Sequence, residues 1–349
     1  MRIVHLILTS SFAGSERHAI ELANAQSREH EVTLILQRAV RGTATGAYAH
    51  RVDPRVRVLW VDKWLGRWQA RRLIRQLRPD VAHAHLSAAS KALSGLRDLH
   101  ASVLRVATLH IRYKPQQHAH LDALVAIAPW QIEAIPSPLR EHTVQIDNWT
   151  LPYLPAPNAR QQLRSEFGIE SGAWVFGSIG RIEHSKGFDL LVDAFERAAL
   201  PGAYLVILGQ GVGLEPLRRR KVPGVILPGF SERPQDWLAT FDCFISSART
   251  ESFGLVFLEA MAAGLPVIAT ATMGANHLST ALGGRLVPLQ DVAAMAEAIA
   301  AVHLEQPPRC IRATEHFSID NKLTELEAFY RREMVGAGVP VKAPTETRF

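Results

Sequence analysis

Residues 247 to 264 read SARTESFGLVFLEAMAAG, and the fold and chemistry of the chain are best approached from this stretch. Phe253 to Ala263 contains no proline, is rich in Leu, Ala and Met, and stops at Gly264, which predicts a buried helix with a glycine end cap. Only Glu259 interrupts its apolar surface. An unpaired buried carboxylate costs on the order of several kcal/mol, so Glu259 requires a compensating partner. Glu251 stands just before the expected helix start, where backbone amides around Ser252, Phe253 and Gly254 suit an anion. Two readings are open. Either the carboxylates, eight residues apart, bracket a phosphate-sized pocket, or Glu251 is a favourable N-terminal charge and Glu259 half of a buried ion pair.

A chain of 349 residues is too long for one ordinary core, and two domains of roughly 150 residues each are expected. A net charge of +6 and a pI near 9.6 favour anionic partners without choosing among phosphates, a membrane surface and nucleic acid. Cys243 and Cys310 are the only cysteines and lack metal or redox spacing, so the expectation is a reducing compartment and no disulfide framework. The short apolar run Ile3 to Leu8 makes a poor secretory signal. No stretch approaches the roughly 18 to 20 apolar residues that span a bilayer, so a soluble or peripheral, cytoplasmic protein is expected.

Strand and helix patterns alternate throughout, implying parallel sheets covered on both faces. IVHLIL (3–8) reads as a strand, and the turn after it places Gly14 and Ser15 at a helix N-terminus, where amides can approach an anion. EVTLILQ (31–37), residues 55–61, PDVAHAH (79–85) and VLRVATLH (103–110) follow as strands. Ligands of open α/β sheets lie beyond the carboxyl ends of the strands, which puts His110, and less securely His85, at a crevice. The pairs His83/His85 and His118/His120 lack a third ligand at zinc-site spacing, so no metal is expected. From Trp64 to Arg78, helical spacing gathers Arg67, Arg71, Arg75 and Arg78 on one face with Trp64 and Trp68. That face suits an anionic membrane surface or is simply solvated.

Prolines 136, 138, 152, 155 and 157 cluster about Asn148, so a domain boundary is expected near 150 to 170. The second domain opens with WVFGSI (174–179), then Gly180, Arg181 and Lys186, whose cations beside a strand-to-helix turn suit a diphosphate or serve in surface ion pairs. A second strand ends in G-x-G-x-G, with Gly209 and Gly211, a weak dinucleotide fingerprint that leaves a nucleotide contact open. Val225 to Phe230 and Cys243 to Ser246 add strands, and FSIDNKLTELEAFYRREM (317–334) is an amphipathic helix before a tail expected to be disordered.

With G-R-I-x3-K-G, the glycine-rich strand end and the E-x7-E helix in this order, the chain resembles the retaining glycosyltransferases of family 4, which have the GT-B architecture. The resemblance covers nearly the whole chain: AGSERHAIELA resembles the family's Gly-Gly loop, DVAHAH its strand ahead of the crevice, and VATLH the strand ending in its active-site histidine. It implies two Rossmann-like doubly wound domains facing a central cleft. These are an acceptor-side domain over 1–155, a nucleotide-sugar domain over 156–318, a helix over 319–335 crossing back to the first domain, and a tail over 336–349. The catalytic set implied is His110, Arg181, Lys186 and Glu251. Arg181 and Lys186 would hold the donor diphosphate, Glu251 would touch the donor sugar, and His110 would sit beside the transferred sugar. The donor side would comprise Gly14, Ser15, Gly180, Gly209, Gly211, Phe230, Phe253, Gly254, Leu255 and Glu259, the last bonding the ribose.

No two aspartates are two positions apart, so the D-x-D signature of metal-dependent nucleotide-sugar transferases is absent. Two cations and a helix N-terminus make Mg²⁺ dispensable on charge grounds. The expectation is therefore metal-independent transfer of a hexose from a nucleotide-diphosphate sugar, UDP ahead of GDP by family frequency, to a glycan or lipid-linked acceptor. Departures from the family pattern are Ser15 in place of a second glycine, IDNW around Asn148, and His277 where many members carry Glu. Some lipopolysaccharide-core glucosyltransferases also have His there, which favours a bacterial cell-surface glycan acceptor. An epimerase of the same architecture and a non-catalytic nucleotide-binding scaffold are the competing readings. Nucleic-acid binding has only net charge in its favour.

Overall fold

The computed structural model describes residues 1–10, 12–41, 48–99, 101–310 and 315–339. Most of the tail expected to be disordered lies outside them, although Gly336 closes a helix. The chain divides into two compact units, Met1–Asn148 with Ser318–Phe349, and Trp149–Phe317.

The first unit is built on seven parallel strands: β1 (Arg2–Ile7), β2 (Glu31–Gln37), β3 (Arg57–Val61), β4 (Val81–His85), β5 (Leu104–Leu109), β6 (Ala123–Ala126) and β7 (Thr143–Gln145). Their order is 3-2-1-4-5-6-7, so the direction of winding reverses between β1 and β4. Such a reversal opens a crevice at the carboxyl ends of the two strands. The central strands are buried on both faces, as the continuous apolar runs require. Alternation along β1 sends Val4 and Leu6 into one apolar layer and Ile7 into the other. His5 lies on the Ile7 side and is paired in register with His83 of β4.

That second layer is roofed by the helices Gly14–Gln26 and Ile319–Gly336. The C-terminal helix is held by Tyr330, whose hydroxyl lies 2.5 Å from His83 Nδ1, by Glu333 to His142 at 2.7 Å, and by Asp320 to Arg28 at 3.1 Å. Within β5, Arg105 is buried yet satisfied, forking onto Asp122 at 2.6 and 2.9 Å and donating to the Leu96 carbonyl.

The second unit carries β8 (Val175–Ile179), β9 (Tyr204–Leu208), β10 (Val225–Gly229), β11 (Cys243–Ser246), β12 (Val267–Thr270) and β13 (Arg285–Val287). All are parallel, in the order 10-9-8-11-12-13, with the reversal between β8 and β11. Its entering and leaving segments pair where the Thr150 amide donates to the Phe317 carbonyl at 2.9 Å. Asp242, just before β11, accepts from Arg160, Arg164 and the Val175 amide at 2.6 to 2.9 Å, which ties the first helix of the unit to its central strands.

Candidate active site

In the second unit the loops leaving β8 and β11 are fastened together along their length. Ser247 Oγ donates to the Lys186 carbonyl at 3.0 Å, and the Arg249 amide to the Ser185 carbonyl at 2.8 Å. The Arg249 guanidinium forks onto Asp189 at 2.7 and 2.8 Å and reaches the His184 carbonyl at 2.8 Å. The approach is so close that a Cβ on Gly187, at φ +64°, would run into the Ser247 carbonyl. One consequence is a 2.6 Å ion pair between Lys186 Nζ and Glu251 Oε2, with the two side chains 25% and 17% exposed. The structure thus brings together two residues that are 65 positions apart.

Gly209 and Gly211 serve first as packing glycines. The β9 loop lies on the 180–182 turn, with Gly180 N donating to Leu208 O and Ile182 N to Gln210 O at 3.0 and 2.8 Å. A Cβ on Gly209, at φ +148°, would strike the Gly180 carbonyl. Arg181 is half exposed and paired with Glu183 at 3.3 Å, and Phe230, following Gly229, is 54% exposed.

Two features of the 247–264 stretch differ from expectation. The helix spans Leu255–Ala262, with Gly254 as its N-cap at φ +87°, so Phe253 precedes it. Phe253 is instead a buried anchor whose ring lies 5.7 Å from that of His277. The first-turn amides are accordingly those of Leu255 and Val256, which have no carbonyl a turn back within the helix. Glu259, one turn further on, is only half-buried, so it does not carry the desolvation cost of an interior carboxylate. Gly264 closes the helix at φ +69°.

In the first unit, Gly14 and Ser15 open the helix Gly14–Gln26, whose N-cap amide, that of Ala13, donates to Glu16 at 3.0 Å. One turn later His18 meets His110 edge to face, ring centroids 5.0 Å apart. His110 follows β5 directly and its Nε2 lies 3.1 Å from His85 Nδ1, while His85 Nε2 lies 3.1 Å from His5 Nδ1. His5 Nε2 is 2.6 Å from Gln26 Oε1, and His83 bonds Tyr330 and Thr108, the latter at 2.8 Å. Sequence reasoning puts His85 at the crevice beside His110 but gives the H-A-H pair itself no role, and it does not reach His5, His18 or Gln26. The usable signal was the H-A-H spacing, which puts two rings on one face of a strand.

Ring nitrogens of His5, His83 and His85, and of His18, His85 and His110, form groups with all members within 4.8 Å of one another. Both nitrogens of His5, His83 and His85 are already committed to hydrogen bonds. A metal ion would have to break this chain to bind.

The basic helix spans Gly66–Leu77 and is less uniformly solvent-facing than its spacing suggests. Arg71 turns inward to the carbonyls of Lys91 and Ala92 at 2.9 and 3.0 Å, Arg75 is forked onto Asp98, and Arg78 sits in the left-handed C-cap. Trp64, Leu65 and Trp68 are 89%, 58% and 60% exposed, with Lys63 over the Trp64 ring and Arg72 over that of Trp68.

Burial pushes His5 and His110 down to about 4 and holds His18, His83 and His85 well below the usual histidine value, their mutual repulsion adding to the effect. A histidine kept neutral in the fold takes up a proton on unfolding between pH about 4 and 6.5. The unfolded chain therefore binds more protons in that window, and stability falls as pH drops through it. Urea unfolding at pH 7, 6 and 5 should show a loss that steepens toward about 1.4 kcal/mol per pH unit for each histidine that must charge.

A family model described as Glycosyltransferase Family 4 matches residues 12–171, and one described as Glycosyl transferases group 1 matches residues 173–304. The lipopolysaccharide core biosynthesis glycosyltransferase LpsE of Rhizobium meliloti (strain 1021) is 27% identical over 309 residues, 86% of this chain and 88% of that protein. The lipopolysaccharide core biosynthesis mannosyltransferase LpsB of the same organism is 28% identical over 204 residues, 51% of this chain and 57% of that protein. Several other curated relatives are likewise matched over only about half of their length. Among solved structures, Anabaena Alr3699/HepE in complex with UDP and glucose superposes with a TM-score of 0.77 at 18% identity, covering 94% of this chain and 98% of that one. That likeness concerns the fold, in agreement with two parallel-sheet units. The chain thus carries a family 4 glycosyltransferase domain over residues 12–171 followed by a group 1 glycosyltransferase domain over residues 173–304, with the GT-B fold.

Proposed function

We propose that the protein transfers a hexose from a nucleotide-diphosphate sugar, UDP ahead of GDP, to a glycan or lipid-linked acceptor of the cell surface, with retention at the anomeric carbon and without a metal. The observation that carries this reading is the Lys186–Glu251 pair, held at 2.6 Å beside the helix start at Gly254 and at the switch point of the second sheet. Without donor, Glu251 neutralises Lys186. An arriving diphosphate takes the ammonium as its counter-charge, with Arg181 and the first-turn amides of Leu255 and Val256 as further donors, and frees Glu251 toward the sugar. As the bond from the anomeric carbon to the diphosphate oxygen breaks, these groups stabilise the charge on the departing phosphate. The acceptor hydroxyl bonds to that carbon on the same face and gives its proton to the departing oxygen. His110, neutral, is assigned a hydrogen bond to the transferred sugar, and Glu259 one to the ribose.

The UDP and glucose recorded with HepE support the donor class, and the names of LpsB and LpsE support a lipopolysaccharide-type acceptor. Peripheral attachment at the cytoplasmic membrane face is part of the proposal. No helix among the described residues is long and apolar enough to cross a membrane. The exposed Trp64, Leu65 and Trp68, flanked by Lys63, Arg67 and Arg72, suit the interface of an anionic bilayer. An epimerase would need no acceptor, and nothing in the site favours it.

With a matched donor and acceptor, EDTA-treated enzyme should retain transfer, while Glu251→Ala should lose about 100-fold or more in turnover. Abolition by EDTA, or a near-wild-type rate for Glu251→Ala, would contradict the mechanism. Changing Trp64 and Trp68 to Ser, with Lys63, Arg67 and Arg72 to Glu, should abolish sedimentation with anionic liposomes. Undiminished sedimentation would remove the docking surface.

A further inference from the structure

The polar chain running from Gln26 through His5 and His85 to His110 has a direction. Its starting point is Gln26 Oε1, 2.6 Å from His5 Nε2. A carbonyl oxygen only accepts, so the His5 proton is on Nε2, and a neutral imidazole then offers a lone pair at Nδ1. That lone pair faces His85 Nε2 at 3.1 Å, which must be the donor. The same step repeats between His110 Nε2 and His85 Nδ1, also at 3.1 Å. The rings are packed too closely to hold charge cheaply, with His5, His83 and His85 at centroid separations of 4.5 to 5.4 Å in a fully buried layer between sheet and helices. His83 stands outside the chain. It is bonded to Tyr330 and Thr108, and it stacks on His85 at 4.5 Å, fixing that ring's plane.

We infer that Gln26, His5 and His85 are positioning residues that fix the proton of His110 on Nε2, so that His110 presents its Nδ1 as a hydrogen-bond acceptor. The inference deepens the functional reading above and rests on it for the assignment of His110 to the transferred sugar. A ring with a free choice of tautomer serves a partner hydroxyl either as donor or as acceptor. A ring locked in this way accepts, and so it selects a sugar position that bears a hydroxyl over one that bears a carbonyl or an ether. The reverse polarity is chemically self-consistent and distinguishable. If the Gln26 amide nitrogen faced His5, every proton would shift to Nδ1 and His110 would present a donor.

The test uses the full chain labelled with ¹⁵N-histidine and a long-range ¹H–¹⁵N correlation spectrum, with the His110 signals assigned by their loss in His110→Gln. The expected spectrum shows His5, His85 and His110 each protonated at Nε2 and bare at Nδ1. Gln26→Leu, three hydrogen bonds from His110, should turn the single His110 tautomer into a mixture and lower kcat several-fold with little change in donor KM. Thr108→Val, which alters only the partner of His83, should leave the His110 tautomer unchanged. A proton on His110 Nδ1 in the unaltered protein would overturn the proposal, as would a His110 tautomer unaffected by Gln26→Leu. Should Gln26→Leu fail to fold, the spectrum of the unaltered protein decides alone. The readout is spectroscopic, so an absence of transfer activity with the tautomers as assigned would fault the functional reading and leave the chain of hydrogen bonds standing.

Discussion

The near-contact of the Gly187 backbone with the Ser247 carbonyl is the constraint on which the second unit's chemistry depends. β8 and β11 are neighbours only because the sheet reverses its winding there, and their loops then leave the carboxyl edge side by side. Removing a side chain at one position lets the loops close, and the backbone carbonyls of His184, Ser185 and Lys186 and the Arg249 guanidinium hold them. Lys186 and Glu251 are the product of that closure. Each is a poor ligand-binding group in isolation. At 2.6 Å and partly sheltered from water they form a charge pair that an anionic ligand can reorganise without paying to build the site.

The first unit solves a different problem with the same topology. Its switch point is filled with imidazoles where an ordinary parallel sheet would place aliphatic side chains. Burial of so many polar rings is tolerable because the nitrogens of His5, His83 and His85 are bonded and the layer is uncharged. The C-terminal helix is a structural member of this unit, its Tyr330 hydroxyl reaching into the layer.

Much of this was legible in the sequence because it rests on local rules. Apolar runs of strand length separated by helical periodicity declare parallel sheets, and Gly264 lies where composition puts it. The turn that carries Lys186 and the helix start after Glu251 were legible through their spacing, whereas the roles of Arg181, Lys186 and Glu251 came only with the resemblance. What was not legible depends on register between distant segments. Nothing local says that His5 pairs with His83, that Gln26 ends up beneath His5, or that Arg71 turns inward to the end of a neighbouring helix. Glu259 was misjudged for a related reason: helix composition reports how apolar the neighbours are, but not which side of the helix remains open to water.

The most direct measurement is thermal unfolding with UDP, GDP, ADP or NAD, each in the presence of EDTA. A ligand at 100 times its dissociation constant stabilises by about 2.7 kcal/mol, which corresponds to a rise of several degrees in the midpoint. The account predicts a rise with UDP, or with GDP, that is lost in Lys186→Met. No rise with any nucleotide, or a rise with NAD alone, would contradict a diphosphate site built on Lys186 and Glu251.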